Sequence, residues 1–268
     1  MFRNYLLVTF RNLLKNRVFT AINILGLGIA LAVCIVAFFN HMFNYEFDRT
    51  HKNFETIYRI NSFRDMQGRE QEYGIVPATL GLELKKDIPG IEKAARLMRS
   101  SSPVKEGLNI FPTQVSYVDP EFLDIFTFPI VVGDKRSIEN QANVLVSVTM
   151  ANKLFGKEYP VGKTISIIND KNREFTYTIG AVFEDLPLNS SFRIDILSHY
   201  DNFKLMWEWS DADWKNTTSC QFILVPDKSS IGSITKSLMN YVPVQNRARE
   251  DFRMTRFKLL PLKEVGSN

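Results

Sequence analysis

The longest run of hydrophobic positions extends from Val18 to Phe39, where twenty-two residues include no charged side chain. At about 1.5 Å per residue, a helix of this length spans about 33 Å, slightly more than the roughly 30 Å hydrocarbon core of a bilayer. Since lipid offers no hydrogen-bond partners, such a segment must satisfy its own backbone as a helix. The pattern therefore predicts a transmembrane helix at 18–39.

The segment before this run, residues 1–17, contains basic side chains and no acidic one. Basic residues next to a span stay in the cytoplasm, so we expect a cytoplasmic amino terminus and an external domain after the span. Apolar residues also recur at helical spacing here, and they are Phe2, Tyr5, Leu6, Phe10, Leu13 and Leu14. Two interpretations stay open: an amphipathic helix on the inner membrane lipid, or a basic tail that only sets topology.

Small residues interrupt the apolar run. Gly26 with Ala30, or Gly28 with Ala32, have the small-xxx-small spacing that lets a second transmembrane helix approach closely. The only small-x-small triplet of the kind that signal peptidase cleaves, Ala30 to Ala32, lies in the middle of the run and is followed by more apolar residues. We therefore expect an uncleaved single-pass anchor.

Beyond a polar connector at Glu46–Asn53, the pattern alternates between periods of two and of 3.6 residues. This alternation predicts two β-α-β units: a strand at 56–63, a helix at 75–87 and a strand at 91–98, then a strand at 221–225, a helix at 229–241 and a strand at 252–260. The two units are expected to form one split sheet with both helices on one face.

The stretch between these units is richer in strands and turns. Strands are predicted at 109–117, 143–148, 163–168 and 173–183, with short helices at 120–126 and 149–155 and a hairpin turn at 169–172. The predicted fold class is therefore α+β. A discontinuous β-α-β subdomain, 45–103 and 201–262, carries an inserted β-rich subdomain at 104–200.

The balance of charges and the number of cysteines bear on nucleic-acid binding and on disulfide formation. The chain has 33 basic and 29 acidic residues, and removing the four basic residues of the amino-terminal segment leaves 29 of each. An external domain so close to neutral offers no argument for nucleic-acid binding. Cys34 lies in the span and Cys220 lies outside it, so the two are not expected to pair, and the domain is expected to fold without a disulfide.

Several blocks resemble one known family. The blocks are YEFDRTHKNFETIYRI (45–60), VDPEFLDIFTFPIVVGD (118–134), VLVSVTMANKLFGKEYPVGKTISI (144–167) and YTIGAVFEDLPLNSSFRIDIL (177–197), preceded by RNLLKNRVFTAINILGLGIALA (11–32). In this order they resemble the first membrane helix and periplasmic core domain of MacB-like (FtsX-type) ABC transporter permeases, especially long variants from Bacteroidetes.

The resemblance implies a permease in the bacterial inner membrane, with its carboxyl-terminal domain in the periplasm. Its partners would be a separate cytoplasmic ABC ATPase, a second permease copy, membrane lipid and a periplasmic adaptor or outer-membrane protein. The domain would transmit ATP-driven movement for efflux or for mechanical control of the envelope. The family continues into further membrane helices that have no counterpart here, so we expect this chain to be a fragment or half of a split system.

Two apparent chemical motifs are not assigned a chemical role. GKEYPVGKT (156–164) resembles a phosphate-binding loop, but it places five residues between its glycines instead of four, and a helix precedes it where a strand should. Gly156 is expected instead to end a helix in the left-handed conformation, and Gly162 to shape a turn. His41, His51 and His199 lack the spacing of zinc ligands, so no metal site and no cofactor are predicted.

The segment WEWSDADW has two interpretations. Trp207, Trp209 and Trp214 beside Asp211 and Asp213 could form a carbohydrate or peptide contact surface, or a loop whose aromatic residues pack on the domain. The sequons Asn189-Ser-Ser and Asn216-Thr-Thr are assigned to turn chemistry.

No catalytic constellation is predicted, so the chain is not expected to be an enzyme. The main alternative to a permease is a membrane-anchored periplasmic sensor or ligand-binding module. A third alternative, a membrane-anchored envelope enzyme, would need a polar pocket, and no sequence pattern indicates one.

Overall fold

The structure is a computed structural model that describes residues 2–266. The side chains of Phe2 and Leu6, two members of the predicted amphipathic pattern, lie outside the described set. The chain forms two compact units, one up to Glu46 and one from Phe47 onward, which we call the body.

The first unit contains two helices, α1 (Phe2–Lys15) and α2 (Arg17–Tyr45). In the described part of the chain, one helix is long and apolar enough to cross a membrane, at Arg17–Phe43. The predicted span at 18–39 is thus confirmed as a helix that continues for another six residues. Its apolar side chains are exposed throughout, as expected for a lipid-facing surface.

The body is a mixed α/β domain, and the predicted fold class is confirmed. Its strands are β1 (Ile57–Met66), β2 (Arg69–Tyr73), β3 (Val76–Pro77), β4 (Lys93–Glu106), β5 (Asn109–Val118), β6 (Ile130–Gly133), β7 (Asn143–Ser147), β8 (Thr164–Ile168), β9 (Glu174–Phe183), β10 (Ile196–His199), β11 (Thr217–Thr218), β12 (Cys220–Leu224) and β13 (Met254–Pro261). Its helices are α3 (Ala78–Asp87), α4 (Phe122–Ile125), α5 (Val148–Phe155), α6 (Tyr200–Trp207), α7 (Ile231–Leu238), α8 (Val242–Ala248) and α9 (Leu262–Val265).

One large sheet organises the body, with strand order β13-β1-β12-β4-β5-β10-β7-β9-β6. Strand β1 lies between β13 and β12, and β12 lies between β1 and β4, all antiparallel. The units β1-α3-β4 and β12-α7-β13 therefore interlock as a split sheet. Because β4 continues through the predicted subdomain boundary at 103 into a long hairpin with β5, the sheet is continuous across it.

Side chains alternate between two faces of this sheet, as strands require. On one face a single core extends across both halves, from Ile57 and Phe222 to Leu145 and Phe183. The other face carries two cores. Helices α3 and α7 cover the first through Leu80 and Ile234, while α5 and α6 cover the second.

Several predicted bounds are wrong for identifiable reasons. The helix predicted from Ile75 begins at Ala78, because Val76 and Pro77 pair with Thr218 and Thr217 and proline disfavours helical geometry in the residue before it. The helix predicted at 229–241 is a true α-helix only at Ile231–Leu238 and has 3-10 turns at both ends.

Candidate functional site

The candidate site is the junction, by which we mean residues 47–57, where the chain enters the body. Asp48 is 1% exposed and has a φ of 57°. Its carboxylate accepts hydrogen bonds from the Ser191 backbone N–H (2.7 Å), the Ser190 hydroxyl (3.1 Å) and the Ser191 hydroxyl. The Asp48 N–H donates to the carbonyl of Asn189 at 2.9 Å. The sequon Asn189-Ser-Ser, which the sequence assigns to a turn, thus holds the first turn of the body through these hydrogen bonds.

His51 makes the second contact of the junction. Its ring is 2% exposed, and its Nδ1 accepts a hydrogen bond from the backbone N–H of Thr127 at 3.1 Å. The rings of Phe126 and Phe192 lie edge-on, with centroids 5.0 and 6.3 Å away. Burial lowers the pKa of His51, and the opposing effect of Asp48 is smaller. The imidazole is therefore held neutral, since a protonated Nδ1 could not accept this bond.

Asn53 closes the turn and fastens it to α4. Its side-chain amide donates to the carbonyls of Asp124 and Ile125, both at 3.1 Å, and its own carbonyl accepts from the backbone N–H groups of Thr56 and Ile57. The connector predicted to be a polar linker is therefore held to the body by three of its polar side chains, those of Asp48, His51 and Asn53.

The carboxyl-terminal described residues lie against the same end of the body. Leu262 and Val265 of α9 belong to the core that contains Ile57. Gly266 lies so close to the ring of Phe47 that a Cβ at this position would clash with it. The entry of the chain into the body and residues 262–266 are thus neighbours.

A shallow cleft of about 500 Å³ lies beside the junction, lined by residues that include Lys52, Asn53 and Lys135. Asp124 in its wall pairs with Lys93 at 2.6 Å and with Lys135 at 3.6 Å. The hydrogen bond from Lys93 is the main cause of the lowered pKa of Asp124. The one acidic side chain of this wall, Asp124, is thus engaged by two lysines.

A buried ion network connects the two halves of the sheet. Arg96 on β4 donates to Asp119 at 2.8 and 2.9 Å and to Asp211 at 2.8 Å, and its guanidinium stacks on Tyr200 at 3.9 Å. Lys204 adds a second cation 3.2 Å from Asp211. Sequence reasoning missed this network because its members are far apart in the chain.

The tryptophan segment packs on the body, as one of its two interpretations predicted. Trp207 stacks on Phe203 at 4.7 Å, and Trp209 contacts the same ring edge-on. Trp214 stacks on Tyr241 at 5.7 Å. Each indole is partly covered by the domain, which disfavours an open contact surface for a sugar or a peptide.

The phosphate-loop-like segment has the structural geometry that we predicted for it. Helix α5 precedes it and β8 follows it, the reverse of a nucleotide-binding loop. Gly156 has a φ of 62°, as expected, but its ψ of −117° lies outside the left-handed helical region. This combination suits glycine alone among the amino acids.

The other two histidines have separate partners. His41 lies in α2 and stacks on Tyr45. His199 is the last residue of β10, directly before α6, and its Nδ1 accepts the Asp201 N–H at 3.1 Å. Within residues 2–266, no three side chains of metal-ligating type cluster.

Residues 19–241 match the family model of the MacB-like periplasmic core domain. Among solved structures, the chain resembles a domain of a protein described as a permease from Porphyromonas gingivalis, with 22% identity, a TM-score of 0.60, and coverage of 79% of this chain and 91% of that one. It also resembles the periplasmic region of MacB from Actinobacillus actinomycetemcomitans, with 14% identity, a TM-score of 0.57, and coverage of 81% and 94%.

A third similar structure is the extracellular domain of the noncanonic ABC-type transporter YknZ from Gram-positive bacteria, with 13% identity, a TM-score of 0.52, and coverage of 75% and 100%. At these identities the three structures establish a shared fold. No curated protein matches the chain.

Proposed function

Because this chain belongs to the family of MacB-like periplasmic core domains, a component of ABC transporter permeases and not a classical enzyme, we propose that its body transmits ATP-driven movement. The family context implies an ATPase partner and a dimer. Hydrolysis in the ATPase would change how α2 packs against neighbouring helices, and the body would convert this change into a displacement outside the membrane.

The junction is the observation that carries the proposal. A flexible tether between a membrane helix and a domain would absorb movement. Here α2 ends at Tyr45, and three residues later Asp48 is buried and held by three hydrogen bonds. Ile57 then enters the core that spans the whole sheet. A turn fixed in this way supports transmission of force.

Charge and hydropathy support the proposed placement. Arg11, Lys15 and Arg17 precede the apolar span, which favours a cytoplasmic amino terminus and a periplasmic body in the inner membrane. Helix α1 exposes Tyr5, Phe10 and other apolar side chains, which fits a helix lying on membrane lipid.

The movement would serve efflux or mechanical control of the envelope, through a periplasmic adaptor or outer-membrane protein. The division of the body into a discontinuous subdomain, 45–103 with 201–262, and an inserted subdomain, 104–200, is part of this proposal. The insert would carry the displacement away from the β-α-β half, through the long β4–β5 hairpin.

Distance measurement between two copies of the chain tests the proposal. Leu108, 98% exposed at the tip of the β4–β5 hairpin, is replaced by a spin-labelled cysteine in a chain whose native Cys34 and Cys220 are serine. The complex with its ATPase is reconstituted and compared in ADP and in a trapped ATP state. We expect distinct interspin distances, and identical distributions in both states would refute the proposal.

A second variant separates coupling from folding. Asp48→Asn keeps the shape of the junction while weakening its anchor, so we expect a body that remains folded and a smaller nucleotide-dependent change. Asp185→Asn is the matched control, because the Asp185 carboxylate also accepts N–H and O–H bonds, from Thr149, but lies exposed on the surface. The control should leave the distance change intact.

A further inference from the structure

Arg64 is a buried cation that has no anionic partner among the described residues. It lies on β1, about 23 Å along the strand from Ile57, and is 1% exposed. None of its three guanidinium nitrogens has a hydrogen-bond partner among the described residues. Buried arginines are normally paired, because leaving the donors of a charged group unsatisfied is costly.

Two aromatic rings cover the guanidinium in place of an acceptor. Its Cζ lies 3.1 Å from the centroid of Phe252 and 5.0 Å from that of Tyr73. Burial and neighbouring Arg249 lower the pKa of Arg64 to about 10, so it remains a cation at neutral pH. The rings stabilise the charge through their faces but accept none of its five N–H groups.

Phe252 belongs to a weakly held strap, which we define as the 3-10 turn Glu250–Phe252. The Phe252 N–H bond to the Arg249 carbonyl is 3.4 Å long, and Glu250 and Asp251 are exposed. Stronger hydrogen bonds lie outside the strap. The Asn246 side chain accepts the Met254 N–H at 2.7 Å and donates to the Met254 carbonyl at 2.8 Å. The start of β13 is therefore fixed by Asn246 and not by the strap, whose own contacts include those of Arg249 with the Phe252 ring and with Asp251.

The surroundings of the strap are basic and contain a second unpaired polar group. A surface cleft of about 650 Å³ lies beside the strap. Its lining includes two basic residues, Arg247 and Arg253, and one acidic residue, Glu250. Gln245, on the same segment, is fully buried, and both atoms of its amide lack a partner among the described residues. An anion that approached this cleft would meet a net positive charge.

We propose that Arg64 is the inner part of an oxyanion-binding site whose outer part is the Arg247–Arg253 cleft, with the Glu250–Phe252 strap as its lid. The ligand is a carboxylate or phosphate group, since either accepts two parallel N–H bonds from a guanidinium. Movement of Phe252 off the guanidinium would open the site. The ligand would then supply the acceptors that the body lacks.

Thermal unfolding of the full chain in nonionic detergent tests the site. Inorganic phosphate, and separately a capped tetraglutamate peptide, are titrated at ionic strength held constant with sodium chloride. We expect the midpoint to rise with at least one of them, since a ligand that binds the folded state stabilises it. A rise with phosphate alone identifies a small oxyanion, and a rise with the peptide identifies a carboxylate-bearing segment. No rise with either overturns the proposal.

Variants assign the effect to Arg64. Arg64→Met removes the cation and keeps its volume, so it should fold and lose the response, whereas Arg256→Met removes an arginine paired with exposed Glu70 and should keep it. Phe252→Ala leaves Arg64 in place and removes its cover, so the concentration of the responding probe, phosphate or peptide, that gives half of the response should be about tenfold lower. A response that survives in Arg64→Met, or an unchanged concentration in Phe252→Ala, would show that Arg64 is only structural.

Discussion

Replacing Asp48 tests how firmly the junction is held. The carboxylate is buried and accepts hydrogen bonds from Ser190 and from both the backbone and the hydroxyl of Ser191. Asp48→Ala removes all three bonds, leaves the donors buried, and places alanine at a φ of 57°, which aspartate and asparagine tolerate better. Asp48→Gly removes the same bonds but relieves the backbone, and Asp48→Asn keeps one acceptor oxygen and the backbone preference.

The expected magnitudes differ among the three variants. A hydrogen bond to a charged group contributes roughly 1.5–3 kcal/mol, and desolvation of the carboxylate offsets part of the sum. We therefore expect Asp48→Ala to lower the free energy of unfolding by about 3 kcal/mol, and Asp48→Asn by about 1–2 kcal/mol. Asp48→Gly should lose about 1 kcal/mol less than Asp48→Ala, because glycine adopts positive φ without strain.

The assay is thermal unfolding of the full chain, followed by near-ultraviolet circular dichroism. For a domain of this size, 1 kcal/mol shifts the midpoint by about 2–4 °C, so Asp48→Ala should shift it by roughly 6–12 °C. Asp185→Ala, which removes an exposed carboxylate, is the control and should change it little. Equal losses in Asp48→Ala and Asp185→Ala would refute the idea that the junction is a fixed element.

Three further predictions concern the interior of the body. Burial holds the pKa of His51 below its ordinary value, so the free energy of unfolding should fall as the pH drops below about 6.5, by at most about 1.4 kcal/mol per pH unit. The fall should be less steep in His51→Gln, and an equal dependence on pH in both proteins would contradict this. Arg96→Met leaves the buried Asp119 carboxylate without its cation, while Asp211 keeps Lys204, so the free energy of unfolding measured with urea should fall by about 3–5 kcal/mol. A loss below about 1 kcal/mol would show that the network is dispensable. A Cβ on Gly81 would lie 2.5 Å from the side-chain oxygen of Gln221, so Gly81→Ala should lower the midpoint of thermal unfolding. Gly232 on α7 is the control: a Cβ there would meet nothing within 4 Å, so Gly232→Ala should leave the midpoint unchanged or raise it.

Local patterns were enough to predict several of the elements that bury one face. Strands β5 and β9 and helix α5 begin and end within one residue of the predicted positions, because alternating or helical burial leaves a direct trace in the sequence. Strand β2 was missed, since it is an exposed edge strand whose side chains are mostly charged or polar. Strand β10 was missed because its four residues owe their strand geometry to pairing with β5 and β7 on either side.

The junction could not be found from local patterns at all. Asp48 and His51 lie in a stretch as polar as any linker, and the groups that bury them, Thr127 and the 190–191 turn, are 76 and 142–143 residues away. Family resemblance covered this stretch, since block 45–60 was one of those that carried it, but resemblance does not reveal which side chains turn inward. Burial of a polar residue is decided by its distant partners, and a single sequence does not contain that information.

Under the proposed function, continuity of the sheet determines how much of the body a force applied at the junction would move. The core on one face includes Ile57 beside the junction, Leu97 on the strand that crosses the predicted boundary, and Phe183 near the far edge. Packed interiors respond to force as units, because small shifts are opposed by close contact on all sides. Arg96 adds an ion pair to Asp119, which would have to be broken inside the body for the two halves to bend apart. Under the proposed function, a displacement applied at Asp48 should therefore move the whole body. Weakly held segments, such as the Glu250–Phe252 strap, are the places where a bound partner could change the surface of the body without opposing that movement.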